Sequence, residues 1–272
     1  MNHKISNSEE FAKLVRGYSL KMVSKANSSH IGGVLSMADI VAVLYFDILN
    51  LFPREPKNKN RDRLILSKGH CCSGIYAALA LKGFFPVDEL DSFGEDLSPM
   101  MAHISSSVDG VEFSTGALGH GLPFAVGKAI YAKRHDLSWH TYVILSDGEL
   151  NEGSNWEAIM FAAHHKLNNM TIIVDYNNLQ SLDTIEETLA LEPVTEKFKS
   201  FGCNTIRVNG HNHQSLVESF NQNENSDKPK VIIADTIKGK GVSFMENQVL
   251  WHYKPPNEDE LKQALEEVGF LE

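Results

Sequence analysis

Apolar residues recur at helical spacing through Phe11, Leu14, Val15, Tyr18 and Met22, behind Ser8-Glu9-Glu10 as cap and first-turn acids. That pattern predicts a first helix of about five turns. A second helix is expected to begin at Ser36, capped by its hydroxyl, and to run through Ile40, Val43 and Leu44 until Pro53 and a charged stretch leave 53–62 as a surface loop. Beyond it the pattern alternates. Short apolar runs at 63–66, 141–145, 170–175, 204–208 and 231–235 read as strands. Helical patterns at 71–82, 117–134 and 152–166, from Pro193 and from 214 separate them. Strands that are apolar on both sides lack the in-out alternation of a half-exposed sheet, so the expectation is one doubly wound α/β domain over 1–272, a mostly parallel sheet with helices on both faces. The stretches 93–115 and 177–192 are long and aperiodic, and loops of that length in a compact domain are usually functional.

Composition narrows the function classes. The chain has 272 residues, 42% of them hydrophobic, enough for one sizeable core. Acidic residues outnumber basic ones 35 to 25 and the lysines and arginines form no stripe, so neither a nucleic acid nor an anionic membrane is an expected partner. Cys71, Cys72 and Cys203 have neither disulfide-framework nor zinc-site spacing, which suits a reducing compartment. The polar start from Met1 to Glu10 is unlike a signal peptide, and no uninterrupted apolar run reaches bilayer length. A cytoplasmic location is the expectation.

Candidate chemistry gathers at two strand ends. Ser146-Asp147-Gly148 follows the run Tyr142–Leu145, and Asn177-Asn178 follows Ile172–Asp175. Ligands of open parallel sheets bind at the carboxyl edge, so Asp147 and Asn177 are expected to converge there. One carboxylate, one amide and the Leu179 carbonyl suit Mg2+, with Ca2+ or Mn2+ as substitutes, and leave coordination places for diphosphate oxygens. Gly148 permits close backbone approach to a phosphate, and Gly116 in Ser-Thr-Gly-Ala-Leu-Gly-His-Gly, opening a predicted helix, offers amides to the same anion. Asp-Gly and Asn-Asn alone are ordinary turn pairs. Their joint position after consecutive strands is what points to a site.

Asp147-Gly148, 28 intervening residues and Asn177-Asn178 resemble the thiamine-diphosphate motif, commonly GDG, a spacer and NN. Ser29-His30-Ile31-Gly32-Gly33, Ser67-Lys68-Gly69-His70, Thr115 to Gly121, and Asp147-Gly148-Glu149-Leu150-Asn151-Glu152-Gly153 resemble transketolases in particular. The similarity continues in order to Lys238-Gly239-Lys240-Gly241-Val242 and Trp251-His252.

This resemblance implies the diphosphate domain of the thiamine-diphosphate-binding fold, with the pyrimidine and C-terminal domains on another chain. It implies the N-terminal subunit of a split transketolase, a transferase that moves a two-carbon ketol unit from a ketose to an aldose once a C-terminal subunit joins it, in an α2β2 heterotetramer. It casts His30, His70, His103 and His252 as imidazoles lining the substrate channel, and Glu152 as an acid coupled to the partner interface. His70, Gly116, Leu118, Asp147, Gly148, Glu149 and Asn177 would contact the cofactor, and Asp147, Asn177 and Leu179 the metal. His164 also matches a family histidine, with packing or interface as its expected role. The chain departs from the pattern at Ser146 (commonly Gly), Ile31 (Pro), His120 (Gln) and Tyr253 (Gly). Family groups that recognise a sugar phosphate lie mostly in the other half, so sugars and sugar phosphates are both open as substrates. Two alternatives remain: an E1 alpha-like subunit of a 2-oxoacid dehydrogenase, against which the segments around His30, His70 and His103 argue, and a noncatalytic module that keeps the fold.

Overall fold

In the computed structural model, which describes residues 5–222 and 226–270, the predicted alternation closes into a parallel sheet. Its strands are β1 (Arg63–Leu66), β2 (Thr141–Ser146), β3 (Met170–Tyr176), β4 (Asn204–Asn209) and β5 (Lys230–Asp235), ordered β1-β2-β3-β5-β4. Every pairing is parallel. The apolar runs are explained by two separate cores. Val143, Leu145, Ile172, Val174, Val231 and Ile233 point to one face and Tyr142, Ile144, Ile173, Ile232 and Ala234 to the other. Successive side chains leave opposite faces of a strand, so a sheet covered twice must be apolar at every position. The doubly wound α/β class is therefore observed.

The helices α1 (Ser8–Lys25), α2 (Ile31–Val43), α3 (Cys72–Lys82), α4 (Gly121–Arg134), α5 (Gly153–His164), α6 (Ile185–Leu189), α7 (Val194–Ser200), α8 (His213–Asn221) and α9 (Glu258–Glu267) complete the described fold. Leu122, Ala125, Ile159, Ala162, Val194 and Phe198 bring α4, α5 and α7 to one face, while residues of α1, α2, α3 and α8 fill the core on the other. Several boundaries correct the sequence reading. Asn7, not Ser8, caps α1, its Oδ1 accepting from the Glu10 amide at 2.8 Å. Helix α2 begins five residues before Ser36, whose hydroxyl instead donates to Asp175 at 2.5 Å. Gly32 and Gly33, ahead of the expected start, lie in the first turn of α2, where a Cβ on Gly33 would come within 2.9 Å of Cys71 Sγ, so glycine is what lets this turn pack closely. All of α2 is buried, so its hydrophobic pattern shows no polar stripe. Ile31–Ile48 is in fact long and apolar enough to cross a membrane, contrary to the sequence reading, but 83% of it is buried inside the fold as a core helix. The predicted loop 177–192 contains α6, and α9 was not foreseen: only Ala264 of it is fully buried, and its start is fixed by an Asn257–Glu260 capping box.

Candidate functional site

The carboxyl ends of β1, β2 and β3 and the segment after β5 enclose a cleft of about 360 Å³. At its floor lie two fully buried carboxylates with different surroundings. Asp175, the last core residue before Tyr176, accepts from Lys68 Nζ at 2.6 Å, Ser36 Oγ at 2.5 Å and Thr236 Oγ1 at 2.5 Å. Burial pushes its carboxyl up, but the Lys68 charge and these hydrogen bonds outweigh burial and hold it below the usual carboxylate range. Among the described residues Asp147 accepts backbone amides alone, Gly148 N–H on Oδ1 and Asn178 N–H on Oδ2, each at 2.7 Å. Burial, and next the Asp175 charge, push it up to about 7. The uncompensated negative charge of the floor therefore sits on Asp147.

Asn177 Nδ2 donates toward Asp175 Oδ2 and Ser36 Oγ, both at 3.4 Å, and its Oδ1 accepts from the Leu179 amide at 3.2 Å. This pattern fixes which end of the amide is oxygen. Asp147, Asn177 and Leu179 line one cleft, as expected, and supply hard oxygen donors of three kinds. The described residues contain no cluster of three His, Cys, Asp or Glu side chains suited to a metal. A site with a single carboxylate does not depend on one.

Above the floor stand the predicted histidines. His30 lies 4.9 Å from His70, 5.0 Å from His252 and 5.9 Å from His103, ring centre to ring centre. Their segments converge because His30 takes a left-handed φ of 77° at the entry to α2 and donates its backbone N–H to the His252 carbonyl at 2.9 Å. Burial, then neighbouring cations and rings, lowers His30 to about 4 and His252 to about 3, and drives His70 well below its ordinary value. These three rings are neutral at pH 7, able to accept or donate one hydrogen bond per nitrogen.

Gly116, Leu118 and Gly148 also line the cleft. Gly116 does not open a helix, however: α4 starts only at Gly121, and Gly116 lies against the His103 ring. The helix end lining the cleft is that of α2, through His30 and Gly33. Glu149 departs furthest from expectation. It is fully buried, and its Oε1 accepts from Ser67 Oγ at 2.5 Å and Gly119 N–H at 2.9 Å, so its carboxylate braces the loops behind the cleft. Glu152 is the exposed residue entering α5, outside the cleft. His164 ends α5 with its ring against His165, and His120 is exposed. Tyr253 stands at the rim, half-exposed, 4.7 Å from His252. Sequence reasoning missed Lys68, Asp175 and Lys238. Lys238 Nζ donates to the Leu179 and Gln180 carbonyls at 3.1 and 3.0 Å and lies 3.2 Å from His252 Nδ1. Burial, then Lys68, lowers Lys238 to about 8. Both lysines sit inside the family-like motifs, and a polar residue ending an otherwise apolar strand was the available signal for Asp175.

A parallel sheet whose edge joins such an oxygen-donor floor to a neutral imidazole cluster defines a class, and residues 7–272 match the family model described as transketolase, thiamine diphosphate binding domain. The chain belongs to the transketolase family. It is 40% identical to one of the subunits of the apulose-4-phosphate transketolase of Phocaeicola vulgatus, over 92% of this chain and 89% of that protein. It is 37% identical to the 6-deoxy-6-sulfo-D-fructose transketolase subunit of a Clostridium species, over 94% of each. The solved transketolase of Campylobacter jejuni superposes with a TM-score of 0.92 at 35% identity, covering 97% of this chain but 43% of that one. The chain spans nearly all of the relatives named as transketolase subunits and about two fifths of the solved single-chain transketolase. These matches favour a transketolase over a 2-oxoacid dehydrogenase subunit.

Proposed function

We propose that this subunit binds thiamine diphosphate with Mg2+ at the carboxyl edge of its sheet and, with a C-terminal subunit carrying the pyrimidine domain, transfers a two-carbon ketol unit from a ketose to an aldose. The observation that carries the reading is the asymmetry of the floor: Asp175 is paired directly with the Lys68 ammonium, while Asp147 is buried with backbone amides for partners, so a bound cation would compensate its ionised form. Asp147, the Asn177 amide oxygen and the Leu179 carbonyl would hold that cation. Gly148, Gly116, Leu118, His70 and Lys238 would surround the diphosphate, with Lys238 supplying positive charge. Bound thiamine diphosphate supplies the electron sink for breaking and forming the carbon–carbon bond.

The remaining groups act on the sugar. His103 and His252 each lie beside His30 in the cleft, and the three would hydrogen-bond substrate hydroxyls, with the neutral rings of His30 and His252 positioned to take and return a proton at the reacting oxygen. Glu152, exposed beside the site, would face the partner, and an α2β2 assembly is the expected form. The two relatives named above act on apulose-4-phosphate and 6-deoxy-6-sulfo-D-fructose by their names. Both are sugars with an anionic tail, which makes that class the first to assay here. Calorimetry of the full chain with thiamine diphosphate, with and without Mg2+, should show binding only with the metal. Ketol transfer should appear when the C-terminal subunit is added. Cofactor binding that ignores Mg2+, or ketol transfer by this chain alone, would contradict the reading.

A further inference from the structure

A second buried charged cluster lies outside the cleft. Asp39 on α2 accepts from Arg16 of α1 through Nη1 at 3.0 Å and Nη2 at 2.6 Å, and meets His211 Nδ1 at 2.7 Å and His213 Nε2 at 3.1 Å. Burial pushes the Asp39 carboxyl up, but the two imidazoles and the guanidinium outweigh it and hold it far below the usual range. Asp39 is thus the anion that organises the other three side chains. None of them lines the cleft.

The cluster bonds the segment that carries Lys238 on both sides of it. His211 Nε2 accepts the backbone N–H of Ile237 at 2.8 Å. An imidazole nitrogen that accepts carries no proton, so the proton of neutral His211 is on Nδ1, directed at Asp39. Asp39 therefore sets the tautomer that lets His211 hold Ile237. The next residue is Lys238, whose ammonium spans Leu179, Gln180 and His252. Neighbouring residues are pinned as well: Thr236 N–H donates to Tyr176 O at 3.0 Å, Gly239 N–H to Gly32 O at 2.9 Å, and Arg16 Nε to Lys240 O at 3.2 Å. Of the two anchors supplied by this cluster, His211 holds the residue immediately before Lys238 and Arg16 holds one two positions after it.

We propose that His211, oriented by Asp39, is a positioning residue that fixes the Ile237 backbone so that Lys238 presents its ammonium to the cofactor's diphosphate. This rests on the cofactor reading above. The two nitrogens of His211 can be separated by substitution. His211→Asn retains an amide near the Nδ1 position, facing Asp39, but has no atom to reach Ile237. His211→Gln places an oxygen near the Nε2 position and keeps the Ile237 acceptor.

The test measures thiamine diphosphate affinity of the full chain in excess Mg2+. Losing the acceptor costs about one hydrogen bond, so His211→Asn should bind about tenfold more weakly. His211→Gln should stay within about threefold of wild type. His211→Asn should add nothing further in a Lys238→Met background, because both act through one ammonium. Wild-type affinity in His211→Asn, or additive losses in the double variant, would overturn the proposal. Amide exchange of the unsubstituted chain gives a check that needs no variant to fold. Ile237 should be protected like the flanking β5 amides, and exchange as fast as an exposed loop would overturn the proposal too. If wild type shows no Mg2+-dependent binding, the cofactor reading fails and this proposal with it. If wild type binds and only the His211 expectations fail, the cofactor reading stands.

Discussion

Asp147→Asn separates what the carboxylate does for the cofactor from what it costs the fold. Burial, and next the Asp175 charge, push Asp147 from the ordinary 3.8 up to about 7, so the folded state holds this proton more tightly than the unfolded one. The stability it contributes is complete below about pH 4 and is lost as pH rises through about 7, worth on the order of 4 kcal/mol once ionised. Asparagine has no such ionisation. It does leave one of the Gly148 and Asn178 amides without an acceptor, a pH-independent cost of about 1–3 kcal/mol. The absolute difference between the two chains therefore matters less than its slope. In metal-free buffer, wild type should lose roughly 3 kcal/mol relative to Asp147→Asn between pH 5 and pH 8, read from urea unfolding at constant m. With Mg2+ and thiamine diphosphate at a hundred times its dissociation constant, wild type should regain about 2.7 kcal/mol and the variant nothing. A difference that stays flat with pH would refute the assignment of the surplus charge to Asp147.

Other perturbations report on separate parts of the site. Lys68→Met removes the ammonium paired with Asp175, both groups being essentially inaccessible, and should destabilise the chain by about 3–5 kcal/mol in the same unfolding assay. Gly69→Ala would drive a Cβ into the Thr115 carbonyl oxygen, so a loss of about 1–3 kcal/mol is expected from displaced loops. His103 is exposed, and His103→Ala should unfold within about 0.5 kcal/mol of wild type and bind the cofactor normally. With the C-terminal subunit present, its steady-state turnover should fall by on the order of a hundredfold.

The legible part of the site was the part carried by adjacent residues. Asp147-Gly148 and Asn177-Asn178 stand at the ends of unmistakable apolar strands, so chain order alone brings them to one edge of a parallel sheet. The direction of the Glu149 side chain was not legible because a motif records the neighbourhood of a residue and not where its side chain points. One position beyond Gly148 a short helical turn carries its carboxylate away from the cleft to Ser67 and Gly119. Helix α2 was started late for a similar reason. Its glycines look like breakers locally, and only contact with Cys71 and Trp251 makes them the residues that fit.

Residue order alone dictated the α/β class, the strand positions and the family motifs, because both-face burial and short-range spacing are written directly into it. It also supplied the histidines as candidates. Which carboxylate keeps its charge, which end of Asn177 is oxygen and where Lys238 reaches were settled by the folded chain and by nothing less. Those properties depend on partners far apart in the chain, Lys68 with Asp175 and His211 with Ile237, whose electrostatic and hydrogen-bonding effects operate over a few ångströms.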